Sequence, residues 1–163
     1  MTLQPADILL VNSSGILGTV IDVITDSPWC HAAIIADPER RLGIEAQIFR
    51  QVDYRPIDDF LGDALVLRYP KLTRDQQNKI LQYVKAQIGT EYDYAAILKE
   101  LLRYGFGIPP QSGENHGRFI CSTLITNAYL SVGIQLTDQP LASPDDLFLS
   151  DKVVVAGRLG IDL

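Results

Sequence analysis

The fold of this chain is constrained most by five short runs of strand-forming residues, which do not alternate regularly with helical segments. Each run is rich in apolar residues, and several end at turn-forming residues or at a proline. The runs are Asp7–Val11, His31–Ala36, Gly43–Val52, Ala64–Tyr69 and Lys152–Ala156. Strict alternation of strands and helices favours a doubly wound parallel sheet. The irregular order therefore predicts an α+β fold with a mostly antiparallel sheet packed against helices.

The clearest helical segment follows the fourth run. Thr73 is predicted to be its N-cap, with Gln76 completing a capping box, and Gly89 is predicted to end it. A short helix is predicted at Ser143-Pro144-Asp145-Asp146, where a capping residue precedes a proline and two acids. Helices are also predicted over Ile16–Thr25, Tyr94–Tyr104 and Cys121–Val132.

Length and composition predict a single domain over residues 1–163. A chain of this length, 47% hydrophobic and 21% charged, can bury a core without disulfides or metal ions. Fourteen basic and twenty acidic residues leave a net charge of −6, which argues against a nucleic-acid partner. Two cysteines, Cys30 and Cys121, are too few for a disulfide framework.

The first residues carry no basic leader followed by an apolar signal-peptide core. No apolar stretch approaches the roughly 20 residues of a transmembrane segment. We therefore expect a cytoplasmic protein, although a phage protein or one exported without a classical signal would look the same. The sequence does not indicate an oligomeric state.

Cys121 is the first candidate for chemistry. It is predicted to open a helix, where the positive end of the macrodipole lowers the pKa of a thiol and favours the thiolate. The backbone N–H at such a position is also a natural oxyanion donor. The alternative is a structural role, because cysteine is among the residues most often buried as a small hydrophobe.

Only two histidines are present as bases for a thiol, His31 and His116. His31 begins a predicted strand and His116 lies in the loop of residues 105–118, which is rich in glycine, proline and polar residues. Each could equally be an ordinary structural or exposed histidine. The loop, which directly precedes Cys121, is the segment expected to contact a substrate.

Glu45 is an acid within a strand-forming run. If the strands before and after the Asp37–Arg41 turn pair as a hairpin, Glu45 and His31 lie near each other. A carboxylate there would orient the imidazole and favour its protonated form. The alternative is an ordinary solvent-facing strand residue.

The sequence predicts no metal and no other cofactor. Cys30, His31, His116 and Cys121 have the chemistry of metal ligands, but adjacent side chains on a strand diverge, and no CxxC or HExxH motif is present. No phosphate-binding glycine loop and no calcium-loop pattern occurs either.

Six short motifs occur in the order that is typical of one family: Ala6–Leu10, Ser27–Ile34, Ile44–Ala46, Gly89–Asp93, Phe119–Ile125 and Ser143–Leu147. In this order the chain resembles the circularly permuted papain-like cysteine hydrolases of the NlpC-like superfamily, especially the YiiX/YaeF-like branch. The lecithin retinol acyltransferases are more distant relatives. In the permuted branch the histidine precedes the cysteine, as His31 precedes Cys121 here.

The resemblance implies Cys121 as the nucleophile, His31 as the general base and Glu45 as the polar third member. Tyr92 or Tyr94 could supply an additional oxyanion donor. Two positions depart from related patterns: Ala6 replaces a glycine in the first motif, and Ile120-Cys121-Ser122 differs from the Asn-Cys-Glu motif of the acyltransferases.

We therefore expect a cysteine hydrolase that cleaves an amide. The substrates suggested by the family are peptides, cell-wall-type amides and lipid-linked acyl groups. Two alternatives stay open, namely an acyltransferase or lipid esterase that uses the same three residues, and a non-catalytic binding module of the same fold.

Overall fold

One antiparallel sheet and three helices form the part of the chain that the structure describes. This structure is a computed structural model covering residues 1–12, 28–46, 50–62, 64–90, 116–139 and 142–160, with only the backbone of residues 116–120. The strands are Ile8–Asn12 (β1), Trp29–Asp37 (β2), Leu42–Glu45 (β3), Asp53–Pro56 (β4), Ala64–Arg68 (β5) and Val154–Arg158 (β6). The helices are Arg74–Ala86 (α1), His116–Leu130 (α2) and Pro144–Phe148 (α3), and a 3₁₀ helix spans Ile57–Phe60.

The strand order in the sheet is β4-β3-β2-β1-β5-β6, and every neighbouring pair is antiparallel. The predicted α+β class with a mostly antiparallel sheet is therefore confirmed. Strands β1 and β2 lie in the middle of the sheet, where both faces are covered. The four residues Ile8–Val11 are accordingly all buried.

Alternate residues of the central strands enter two separate apolar clusters, as the pleat of a strand requires. Ile8, Leu10 and Ile34 pack on the helix-covered face together with buried residues of α1 and α2. Leu9 and Ile35 pack on the opposite face, against the 3₁₀ helix and Leu159.

The third predicted strand, Gly43–Val52, is wrong in its extent. Strand β3 ends at Glu45, and the chain returns as a separate strand, β4. Strand β4 carries exposed polar residues and a proline, so it lacks the apolar alternation that predicts a strand. It lies at the edge of the sheet, where such a sequence is tolerated. The last strand begins at Val154, two residues after the predicted Lys152.

The predicted capping box of Thr73 and Gln76 is present at the start of α1. Ser143, predicted as a capping residue, caps α3 and forms a capping box with Asp146. Gly89 follows α1 with φ of 77°, a left-handed conformation that glycine adopts without steric cost. The helices predicted over Ile16–Thr25 and Tyr94–Tyr104 lie outside the described residues.

A buried ion pair anchors the start of β1. Asp7 is 2% exposed, and its two carboxylate oxygens accept from Nε and Nη2 of Arg68, each at 2.7 Å. The Tyr129 hydroxyl of α2 donates to the carbonyl of Ala6 at 2.7 Å. Ala6 itself has φ of 68°, which accounts physically for the glycine that the family motif carries at this position.

Replacing Arg68 should destabilise the protein strongly, because it leaves the buried carboxylate of Asp7 without its counter-charge. We expect Arg68→Met to lower the free energy of unfolding by about 3 kcal/mol in urea denaturation. Arg40, whose side chain is 81% exposed beside Asp37, provides the control, and Arg40→Met should cost less than about 0.5 kcal/mol. Equal losses in the two variants would contradict this account of the pair.

Candidate active site

The sheet brings His31 and Glu45 into direct contact. Strands β2 and β3 pair with Ile34 opposite Ile44, so Glu45 lies one diagonal step from His31 on the same face. The distance from His31 Nε2 to Glu45 Oε2 is 2.7 Å. Glu45 is 5% exposed, so it is not a solvent-facing strand residue. The Phe60 ring lies 6.4 Å from the imidazole, centre to centre.

A β-bulge lies immediately before His31. Val11 pairs with His31, whereas the next residue, Asn12, pairs with Trp29, which leaves Cys30 as the extra residue of β2. A bulge increases the local twist of a strand and redirects the side chains beside it. This one occurs at the point where the His31 ring meets the Cys121 thiol.

Cys121 reaches the site from the helix-covered face. Helix α2 packs against β2, and Cys121 is 1% exposed within the core between them. Its thiol is hydrogen-bonded to the side chain of His31 and to the backbone of Ala32. The hydroxyl of the buried Ser122 lies 3.9 Å from the sulfur. The structure therefore brings Cys121, His31 and Glu45 together.

The prediction that a helix opens at Cys121 is wrong. Helix α2 already includes His116, which places Cys121 beyond the first turn. The macrodipole acts mainly within the first turn, and an N–H beyond it has a helical partner four residues earlier. The dipole therefore does not explain an activated thiol here, and the Cys121 N–H lies within the helix rather than at the helix start where an oxyanion donor was predicted.

The positive charge of His31, rather than the helix dipole, explains the lowered pKa of the Cys121 thiol. Burial alone would raise the pKa of Cys121, but the imidazolium charge and its hydrogen bond hold that pKa below its ordinary value. Burial would likewise lower the pKa of His31, but the Cys121 and Glu45 charges together raise it to about 10. Each charge therefore stabilises the other, which favours a thiolate–imidazolium pair over the neutral thiol and imidazole.

Arg55 is a member of the site that the sequence did not indicate. Its Nε donates to Glu45 Oε1 at 2.9 Å, while the other oxygen of Glu45 faces His31. Burial raises the pKa of Glu45, but the contacts with His31 and then Arg55 lower it below its ordinary value. The carboxylate is therefore ionised. Arg55 lies on β4, the strand that sequence patterning missed, so no signal pointed to it.

Several other predicted positions do not join the site or cannot be placed. Tyr92, Tyr94 and residues 105–115 of the predicted loop lie outside the described residues. His116 was predicted in that loop, but its backbone begins α2.

The half-buried Cys30 directs its sulfur to the Val11 carbonyl at 3.5 Å. In the described ranges no group of three or more His, Cys, Asp or Glu side chains is arranged to hold a metal ion.

The family follows from a sequence comparison. A family model described as the permuted papain-like amidase enzymes YaeF/YiiX, the C92 family, matches residues 2–153. The chain belongs to this family. The order of His31 before Cys121 agrees with the circular permutation of these amidases, whose activity implies a peptide-type substrate. No sequence among curated proteins matches the chain.

A solved structure has a similar fold. It is that of yiiX from Escherichia coli O157:H7, which is described as a metalloprotein. The TM-score is 0.68 with 17% identity, over 99% of this chain and 100% of that one. The match shows a shared fold. Among the described helices of this amidase, none is long and apolar enough to cross a membrane.

Alkylation of Cys121 should reveal its pairing with His31. We expect the pH midpoint for alkylation of Cys121 by iodoacetamide to lie below the ordinary thiol value, because the imidazolium lowers the pKa of the thiol. In His31→Gln, burial acts without that charge, so the midpoint of alkylation should move above the ordinary thiol value near 8.5. Peptide mapping by mass spectrometry measures the modification of each cysteine separately.

Cys30 serves as the internal reference for this experiment. It is mapped in the same samples, so that a change in the alkylation of both thiols is distinguished from a shift specific to Cys121. The same pH midpoint for alkylation of Cys121 in the wild type and in His31→Gln would contradict the thiolate–imidazolium pair.

Proposed function

We propose that this protein is a cysteine hydrolase that cleaves an amide bond of a peptide or cell-wall-type substrate. Cys121 is the nucleophile, His31 the general acid and base, and Glu45 the residue that orients the imidazole. The observation that carries this proposal is the position of the His31 ring, which bonds to the Cys121 thiol and to the Glu45 carboxylate. Membership in an amidase family supports the choice of bond.

The first half of the reaction forms an acyl-enzyme. The Cys121 thiolate attacks the carbonyl carbon, a C–S bond forms, and the carbonyl electrons move onto oxygen. Because Nε2 of His31 is held by Glu45, Nδ1 is the ring nitrogen that faces the reacting groups. When the tetrahedral intermediate collapses, the C–N bond breaks and the Nδ1 proton passes to the leaving amine.

The second half regenerates the enzyme. Neutral His31 accepts a proton from water while the oxygen of that water attacks the thioester carbon. The C–S bond then breaks, the acid leaves, and Cys121 returns as the thiolate beside the imidazolium. Glu45 keeps the Nε2–H tautomer of neutral His31, which leaves Nδ1 free of its proton at the moment when a base is needed.

The E. coli protein of similar fold is described as a metalloprotein, but a metal ion does not fit the residues of this site. A metal at this place would need donors from Cys121, His31 and Glu45. Both carboxylate oxygens of Glu45 already bind cationic or polar N–H groups, from His31 and Arg55. The three side chains therefore form a hydrogen-bonded row rather than a chelating set.

Substitutions at the three residues should reduce turnover to different extents. With p-nitrophenyl acetate as an activated probe and a muropeptide mixture as an amide source, Cys121→Ser should lower kcat at least about 10³-fold. His31→Gln should lower it similarly, and Glu45→Gln less, by about 10- to 100-fold, because Glu45 does not touch the substrate. Arg40→Met should retain full activity.

The same probe distinguishes the proposal from the two alternatives. A covalent acetyl group on Cys121, detected by intact-mass spectrometry and absent in Cys121→Ser, is expected for a hydrolase. Transfer of that group to an added amine or lysolipid in preference to water would instead identify an acyltransferase. Absence of both adduct and turnover on either substrate would indicate a binding module.

A further inference from the structure

Arg55 lies on the strand that neighbours Glu45, beside the candidate site. Strands β3 and β4 pair with Gly43 opposite Arg55 and Glu45 opposite Asp53. Arg55 and Glu45 are therefore diagonal neighbours on one face of the sheet. Gly43 has no side chain, so nothing at that position separates the guanidinium from the carboxylate. The Arg55 side chain is 34% exposed, whereas that of Glu45 is 6% exposed.

The two oxygens of Glu45 are divided between two cations. Oε2 faces His31 Nε2 at 2.7 Å and Oε1 accepts from Arg55 Nε at 2.9 Å. A carboxylate held at both oxygens cannot rotate without breaking a charge-assisted hydrogen bond. The contact with Arg55 therefore fixes the direction in which Glu45 presents its second oxygen to the imidazole.

The charge of Arg55 matters most when Cys121 is acylated. In the resting enzyme the thiolate stabilises the imidazolium, but a thioester carries no charge. His31 must then lose its proton and act as a base, while Glu45 attracts that proton. A positive charge on the far side of Glu45 weakens this attraction, because it opposes a second positive charge on the imidazole.

We propose that Arg55 is a positioning residue that holds the Glu45 carboxylate and balances its charge, so that His31 can give up its proton at the acyl-enzyme stage. This inference rests on the proposed function, since it assigns a task within the same reaction. It adds a fourth member, from a third strand, to the three residues that the family resemblance implied.

The other charged groups around this row are few within the described ranges. Asp59 Oδ2 lies 3.9 Å from Arg55 Nη1, and Asp53 stands opposite Glu45 in the register. Asp53 accepts from the backbone N–H of Tyr54. From α2, Cys121 is the ionisable group that faces His31. The experiment therefore removes the thiol, so that His31 responds to Glu45 and Arg55.

The test measures the pKa of His31 by ¹⁵N NMR of the imidazole ring in full-length Cys121→Ser. That background has no thiolate and so has the charge state of the acylated enzyme. Adding Arg55→Met should raise the pKa of His31 by about one unit, as expected for loss of a nearby charge. Arg55→Gln should raise it in the same direction, and Arg55→Lys, which keeps the charge, should restore most of the original value.

Arg41→Met provides the matched control, because Arg41 pairs through Nε with Asp58, at 2.7 Å, rather than with Glu45. It should leave the pKa of His31 unchanged. An unchanged or lowered pKa in Arg55→Met and Arg55→Gln would overturn the proposal, since a purely structural role does not raise it.

Turnover separates this inference from the proposed function. In the enzyme that retains Cys121, the acidic limb of the kcat profile for p-nitrophenyl acetate should move to higher pH in Arg55→Met by about the same one unit. Activity that survives Cys121→Ser would refute the proposed nucleophile. The NMR titration does not require turnover, so it tests the effect of Arg55 on the pKa of His31 even if the proposed nucleophile is wrong.

Discussion

The hydrogen bond between His31 and Glu45 is the interaction on which the rest of the site depends. It joins β2 to β3 through side chains that the strand register places diagonally. It occupies Nε2 of the imidazole and so leaves Nδ1 for the thiol. It therefore holds the half-buried ring in one orientation relative to helix α2, which carries Cys121.

The site is a row of four groups whose charges alternate in sign. Arg55 is positive, Glu45 negative, His31 positive and Cys121 negative, and each contacts the next. Burial alone would favour the neutral forms of Glu45, His31 and Cys121. Every charge is instead retained because it has a partner of opposite sign. A change in the charge of one group in such a row alters the pKa of its neighbours, which is the basis of the effect that we propose for Arg55 on proton transfer at His31.

Much of this arrangement could be predicted from the sequence, for physical reasons that differ between residues. Strands β1 and β2 are apolar runs, and the scarcity of cysteine and histidine leaves few pairs from which to choose Cys121 and His31. Arg55 could not be predicted, because β4 is an exposed edge strand without apolar alternation. The start of α2 could not be predicted either, since Gly117 beside His116 is more typical of a loop. The sequence therefore attributes a lowered thiol pKa to a helix dipole, whereas the structure attributes it to the imidazolium.

The central claim is that His31 is charged at neutral pH because Cys121 is ionised. The ¹⁵N shifts of the His31 ring in the wild-type protein test this most directly, with Cys121→Ser as the comparison. The account predicts an imidazolium at about pH 7 in the wild type that persists toward a pKa of about 10, and a lower pKa once the thiol is removed. A neutral ring at about pH 7 in the wild type, or the same titration in both proteins, would contradict it.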